Sequence, residues 1–194
     1  MGLKFSYSKF WNIECLCAIL DFMLKPQDIV VLLKLAGQQP CWTFEGIAAE
    51  LDMSPSAVHR SLDRTQQAGL YSARRREVDR AALSEFLVHG ARYVFPAVRQ
   101  GEARGIPTAW AASPLVDRFS SSRKNVPVWP HALGKVRGIA LEPLHSVVPE
   151  AARRDRQLGE LLALFDAIRI GSARERGLAV NELEQRLGAK PVPA

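Results

Sequence analysis

Apolar residues recur at helical spacing in three parts of the chain, and the spacing predicts helices there. The first is Lys25 to Ala36. Ile29, Val30, Leu32, Leu33 and Leu35 are apolar over nearly the whole circumference, which marks a buried helix. Pro26 opens it, Asp28 favours its positive end, and Gly37 stops it. The second part, Thr43 to Leu70, reads as two short helices joined by a tight turn. Thr43 is an N-cap candidate, and Ile47, Ala48 and Leu51 share one face before Asp52-Met53 interrupts. Ser54 then caps a second helix with Pro55 at its first position; Val58 and Leu62 face inward with Thr65 next on that side, and Gly69 ends it as a C′ residue. The third part begins at Pro149-Glu150. Leu158, Leu161, Leu162, Phe165 and Ile168 follow the i, i+3, i+4 template, and Gly171-Ser172 breaks the helix and caps another with Leu178, Leu183 and Leu187 inward.

Between these parts the pattern is weaker. Leu70 to Ala73 suits a first β-strand and Arg74-Arg75-Arg76 a basic turn, but no return strand is evident. Asp79 looks like an N-cap for a helix from Arg80 to His89, with Ala82, Leu83, Phe86 and Leu87 on one face and Gly90 at its end. The next β-prone run is Tyr93-Val94-Phe95, so a hairpin here is either built across that helix or vestigial. Residues 97–149 are punctuated by glycine and proline, with short strands expected at Val126–Trp129 and Val136–Leu141 as a hairpin turning at Gly134.

The first 24 residues are apolar but broken by Asn12, Glu14 and Asp21. They suit a helix packed on the core or against a partner better than a secretory signal. Gly2 and Ser6 match the N-myristoylation pattern, and Met23 is an alternative start. No apolar run approaches the length of a membrane span. At 194 residues, 47% hydrophobic and 24% charged, the chain has the composition of an ordinary soluble globular protein.

Charge sharpens this picture through its distribution. The formal net charge is +6, which suits a polyanionic partner. Between residues 60 and 104 nine arginines stand against five acidic residues, with no lysine, and arginine is the side chain suited to bidentate contact with phosphate or guanine. The surplus begins in the helix after Ser54, whose outward face carries Ser56, His59, Arg60, Asp63, Arg64 and Gln67. Small residues at that helix's entry allow close approach, and its free N–H groups favour a phosphate oxygen. Three cysteines, at 15, 17 and 41, are too few for a disulfide framework, and Cys-x-Cys is not a usual zinc spacing. The four histidines lie far apart. A reducing cytoplasm without metal or cofactor is the expectation. No phosphate-loop, nucleophile-elbow or His-Glu-x-x-His pattern occurs, so no enzyme is expected.

The stretch IAAELDMSPSAVHRSLDRTQQAGL resembles the winged helix-turn-helix regulators of bacteria, the broad group that includes the MarR and ArsR types. The shared pattern is a small residue, a leucine, a capped second helix and a closing Gly-Leu, within Lys25 to Leu70; Thr65 departs from it, where such helices usually carry leucine. The resemblance implies a mainly α-helical (α+β) protein with a winged helix-turn-helix domain over 25–96. An N-terminal extension over 1–24, a loop-rich region with short strands over 97–149 and a C-terminal helical pair over 150–194 complete the expected architecture. It further implies a transcriptional regulator, a repressor acting as a homodimer on double-stranded DNA. Ser56, His59 and Arg60 would contact bases, and Ser54, Arg64, Arg74, Arg75 and Arg76 would hold phosphates. The leucine stripe of the C-terminal helices and the apolar N-terminal segment are the two candidate dimer elements. The competing expectation is an antitoxin-like module that neutralises a partner protein.

Overall fold

A computed structural model describes residues 23–37, 41–119 and 125–188; the expectations for the N-terminal extension lie outside them. The protein is a mixed α/β molecule. Helices α1 (Pro26–Ala36), α2 (Phe44–Leu51) and α3 (Pro55–Gln67) come first. A hairpin of β1 (Tyr71–Ser72) and β2 (Glu77–Val78) follows. Next comes a broken helix, α4 (Arg80–Glu85), a π turn (Phe86–Gly90) and α5 (Ala91–Val94). Strands β3 (Arg99–Pro107), β4 (Pro127–Pro130) and β5 (Val136–Leu141) form a second sheet, and α6 (Val148–Arg154), α7 (Arg156–Ile170) and α8 (Ala173–Leu187) close the chain.

Local chemistry sets the helix ends. Thr43 Oγ1 accepts from Gly46 N at 3.0 Å and Ser54 Oγ from Ala57 N at 3.2 Å, so both expected caps form. Asp52 takes the left-handed conformation (φ 54°) and turns the chain between α2 and α3. Gly69 (φ 75°) ends α3, with Gly69 N bonded to Gln66 O and Leu70 N to Thr65 O, which satisfies two carbonyls of the last turn. Thr65 is fully buried and donates to Leu62 O at 3.0 Å, so its hydroxyl has an acceptor.

One cluster of buried apolar residues runs from α1 to α8. Its axis is α7, where Leu158, Leu161, Leu162, Ala163, Leu164, Phe165, Ala167 and Ile168 are all buried. The helix packs against α1, α5, α6, α8 and the short 3-10 turn at Ala109–Ala111. The leucine stripe expected to meet a second subunit is thus covered by the chain's own elements. Arg169 turns inward: its side chain is buried and donates to Phe95 O, Pro96 O and Asp166 Oδ1.

The middle of the chain departs most from the sequence expectation. Tyr93–Val94 is helical, because Ala91 packs into the core and the helix continues through the π turn beyond Gly90. Residues 99–107, read as loop, form the longest strand. β3 pairs antiparallel with both β5 (Gly105↔Val136) and β4 (Gly105↔Pro130), and β4 with β5 in parallel (Pro127↔Ile139), which closes a three-stranded sheet rather than a hairpin. Closure needs glycine. A Cβ on Gly105 would lie 2.0 Å from Trp129 O, and one on Gly138 2.0 Å from Val126 O. The sheet is fixed to α7 through Asp166, whose Oδ2 accepts from Thr108 Oγ1 at 2.9 Å and Trp129 Nε1 at 2.7 Å.

Two ion-pair groups fix α1. Asp28, fully buried, receives Arg64 in a two-pronged contact, Nε to Oδ2 at 2.8 Å and Nη2 to Oδ1 at 2.5 Å, and also accepts from Lys25 N. Lys34 pairs with Glu50 of α2 and with Asp155, the N-cap of α7. Burial works against ionised Asp155, but bonds from Lys34 and the Leu158 N–H outweigh it and hold the carboxyl below the ordinary aspartate range.

Two outcomes follow. Arg64→Ala leaves the Asp28 carboxylate buried without its cation and should cost about 3–5 kcal/mol in urea denaturation. For Asp155 the folded pKa is depressed, so its stabilisation is in place above the unfolded value of about 3.9 and is lost as pH falls through the folded one. The stability gap between wild type and Asp155→Asn should therefore be widest near neutrality and shrink toward about pH 3.

Candidate nucleic-acid interface

α2 and α3 pack on α1 through Ile47, Ala48, Leu51, Val58 and Leu62, all buried, which leaves one polar side of α3 facing solvent. Ser54, Ser56, His59 and Arg60 are exposed there, with Asp63, Gln66 and Gln67. The two serine hydroxyls lie 3.1 Å apart at the helix entry. His59 is held in place: Nδ1 is 2.9 Å from Asp63 Oδ2, and its ring lies 5.3 Å from that of Phe44. Arg60 is exposed and makes no ion pair among the described residues.

Arg64 is a correction. It was expected to hold phosphate, but its side chain is only 5% exposed and both prongs are committed to Asp28. The reason is angular. Three residues after Ser61 and two after Leu62, it points toward α1, where an otherwise isolated buried carboxylate needs a cation.

The hairpin is short and directly connected, with no helix inserted. Tyr71 pairs with Val78 and Ser72 with Glu77, and Ala73 to Arg76 form the tip. β1 packs against α3 and β2 against α1. The return strand escapes pattern reading because it is only two residues long. Arg74, Arg75 and Arg76 are all exposed but not equivalent. Arg76 sits at φ 55° with its guanidinium 4.6 Å from the centroid of Trp42, and donates to Trp42 O at 2.9 Å. Trp42 Nε1 returns a bond to Arg76 O at 3.3 Å. Arg76 thus fastens the tip to the segment ahead of α2; among the described residues the exposed side chains of Arg74 and Arg75 make no such contact.

Sequence reasoning missed three supporting residues: Asp28 as the holder of Arg64, Trp42 as the anchor of the hairpin, and Lys34 as the link to α2 and α7. Lys34 carried a signal, being a single lysine inside the apolar run IVVLLKLA, where a charge demands partners. Among the described residues no group of histidine, cysteine, aspartate and glutamate could hold a metal ion, and no helix is long and apolar enough to cross a membrane. No family model matches the chain, and no curated protein or solved structure matches it either.

The inequality of the three arginines can be measured. Arg76→Ala should lower stability by about 1–2 kcal/mol through loss of the Trp42 contacts, whereas Arg74→Ala and Arg75→Ala should leave the melting temperature within a degree or so of wild type.

Proposed function

We propose that the chain is a sequence-specific duplex DNA-binding protein of winged helix-turn-helix type, a transcriptional repressor working as a homodimer. In this reading α2 and α3 are the helix-turn-helix and the β1–β2 hairpin is the wing. One observation carries it. A capped helix presents an exposed polar face with Ser56, His59 and Arg60, and a hairpin packed on the same helix carries the exposed Arg74 and Arg75 at its tip. A helix seated in the major groove brings its N-terminal residues to base edges, and flanking cations neutralise phosphates. Ser56, His59 and Arg60 would read bases; Ser54, Arg74 and Arg75 would hold phosphates.

One reading helix spans few base pairs, and two half-sites about one DNA turn apart are the usual remedy. The contact between subunits lies elsewhere than the α7 stripe, which the chain itself covers. The N-terminal segment with Phe10, Trp11, Ile13, Leu16, Ile19 and Leu20 is the remaining candidate.

A second reading, an antitoxin-like module that binds a partner protein, is favoured by a different feature. Tyr93, Val94 and Val98 are 73%, 52% and 49% exposed within six residues, none of them on α3.

Selection from a random duplex pool at fixed salt tests the first reading. An enriched palindrome is expected, and Arg60→Ala should weaken binding to it by about 1–3 kcal/mol without changing the melting temperature. Joint replacement of Arg74 and Arg75 should weaken binding to all duplexes and flatten the log–log salt slope by about 1 for each lost contact. An unenriched pool would sink the DNA reading.

A further inference from the structure

The β3–β5 sheet has a charge arrangement that the proposed interface does not use. Arg104 of β3 pairs directly with Arg137 of β5, which puts two like charges on one face of the sheet. Such a pair is unfavourable in isolation. Lys135, also exposed, precedes β5 by one residue. Glu102, two residues before Arg104, lies 3.6 Å from Arg137 Nε, with both side chains largely exposed. Arg104 is fixed by a bond from its Nε to Gly134 O at 2.5 Å. Three cations are thus held beside one carboxylate on a strand whose first half is open to solvent.

Glu150 connects the neighbourhood of this face with that of the turn before α3. Asp52, in the turn before α3, shares a cleft with Glu150 and Arg154. Glu150 Oε2 lies 3.5 Å from His131 Nε2. His131 N donates in turn to Arg104 O at 3.2 Å.

We propose that the β3–β5 face is a second strip of phosphate contacts, taking the backbone of the duplex that flanks the segment read by α3. The inference rests on the DNA reading above and extends its footprint beyond α3. A phosphate between Arg104 and Arg137 would relieve their mutual repulsion and release condensed counterions. The strip reads shape and charge, not sequence, so it adds affinity for length without adding base preference.

The test uses the full chain and two duplexes with the same selected site. One is trimmed to the selected bases, and the other is extended by about ten base pairs, roughly one turn, on each side. The extension should raise wild-type affinity roughly tenfold at low salt and steepen the salt slope by about 2. The double variant Lys135→Ala/Arg137→Ala should bind the trimmed duplex as wild type does and lose the gain from extension. Glu102→Ala should bind the extended duplex more tightly than wild type, an effect that misfolding does not produce. The proposal is overturned if extension gives wild type no gain, or if the double variant keeps the gain. Binding of the trimmed duplex without any gain leaves the DNA reading standing and removes only the strip. Failure of both duplexes to bind removes both.

Discussion

A helix buried on nearly every side constrains all that surrounds it. α7 sits in the middle of the molecule, and its apolar residues leave no face for solvent. α1, α5, α6, α8 and the turn at Ala109–Ala111 pack directly against it, and three polar points along its length fix where its neighbours sit. At its start Asp155 caps the helix and pairs with Lys34 of α1. In its last third Asp166 gathers Thr108 and Trp129 from the segments flanking the three-stranded sheet's first crossing. Near its end Arg169 holds the carbonyls of Phe95 and Pro96. Hydrophobic burial supplies the driving force but no direction; these hydrogen-bonded charges supply direction, because each is costly to bury without its particular partner.

The same logic sorts the arginines. A guanidinium is always charged, so a buried one needs a carboxylate or carbonyls, and one in open water needs nothing. Arg64 and Arg169 are of the first kind and are part of the scaffold. Arg76 is intermediate, spread on the Trp42 ring at the foot of the hairpin. Arg60, Arg74 and Arg75 are of the last kind. The scaffold arginines support the free ones: Arg64 holds α3 to α1, and Arg76 holds the hairpin tip next to α2. The proposed interface would draw its charge from the surface and its geometry from the interior.

The three-stranded sheet depends on close backbone approach. Its strands cross where Gly105 and Gly138 admit a neighbouring carbonyl that any side chain would displace. This explains why a stretch full of glycine and proline, with no alternation of polar and apolar residues, still pairs. The pairing is set by what the backbone can approach; Val128 and Trp129, neighbours that point to opposite faces of β4, are both buried, and Trp129 joins the main core.

Local sequence determined most of the helical part. Thr43, Ser54, Asp79 and Ser172 cap helices as their side chains require, Gly69 ends α3, and the spacing of Val58, Leu62 and Thr65 fixed which side of that helix is hidden. Capping and periodicity act within a few residues, so they can be read along the chain. The exposed positions Ser54, Ser56, His59 and Arg60 follow from the same periodicity, and so were legible too. What tertiary structure alone decided needed a partner distant in sequence. Arg64 looks like its exposed neighbours until Asp28, 36 residues earlier, is brought beneath it. The leucines of α7 look like a dimer seam until the rest of the chain folds over them. β3 and the two-residue return strand of the hairpin have no periodicity to detect, because pairing with strands far along the chain, or a turn too short to show a pattern, determines them. Each of these outcomes depends on which surfaces meet, and no window of sequence contains both.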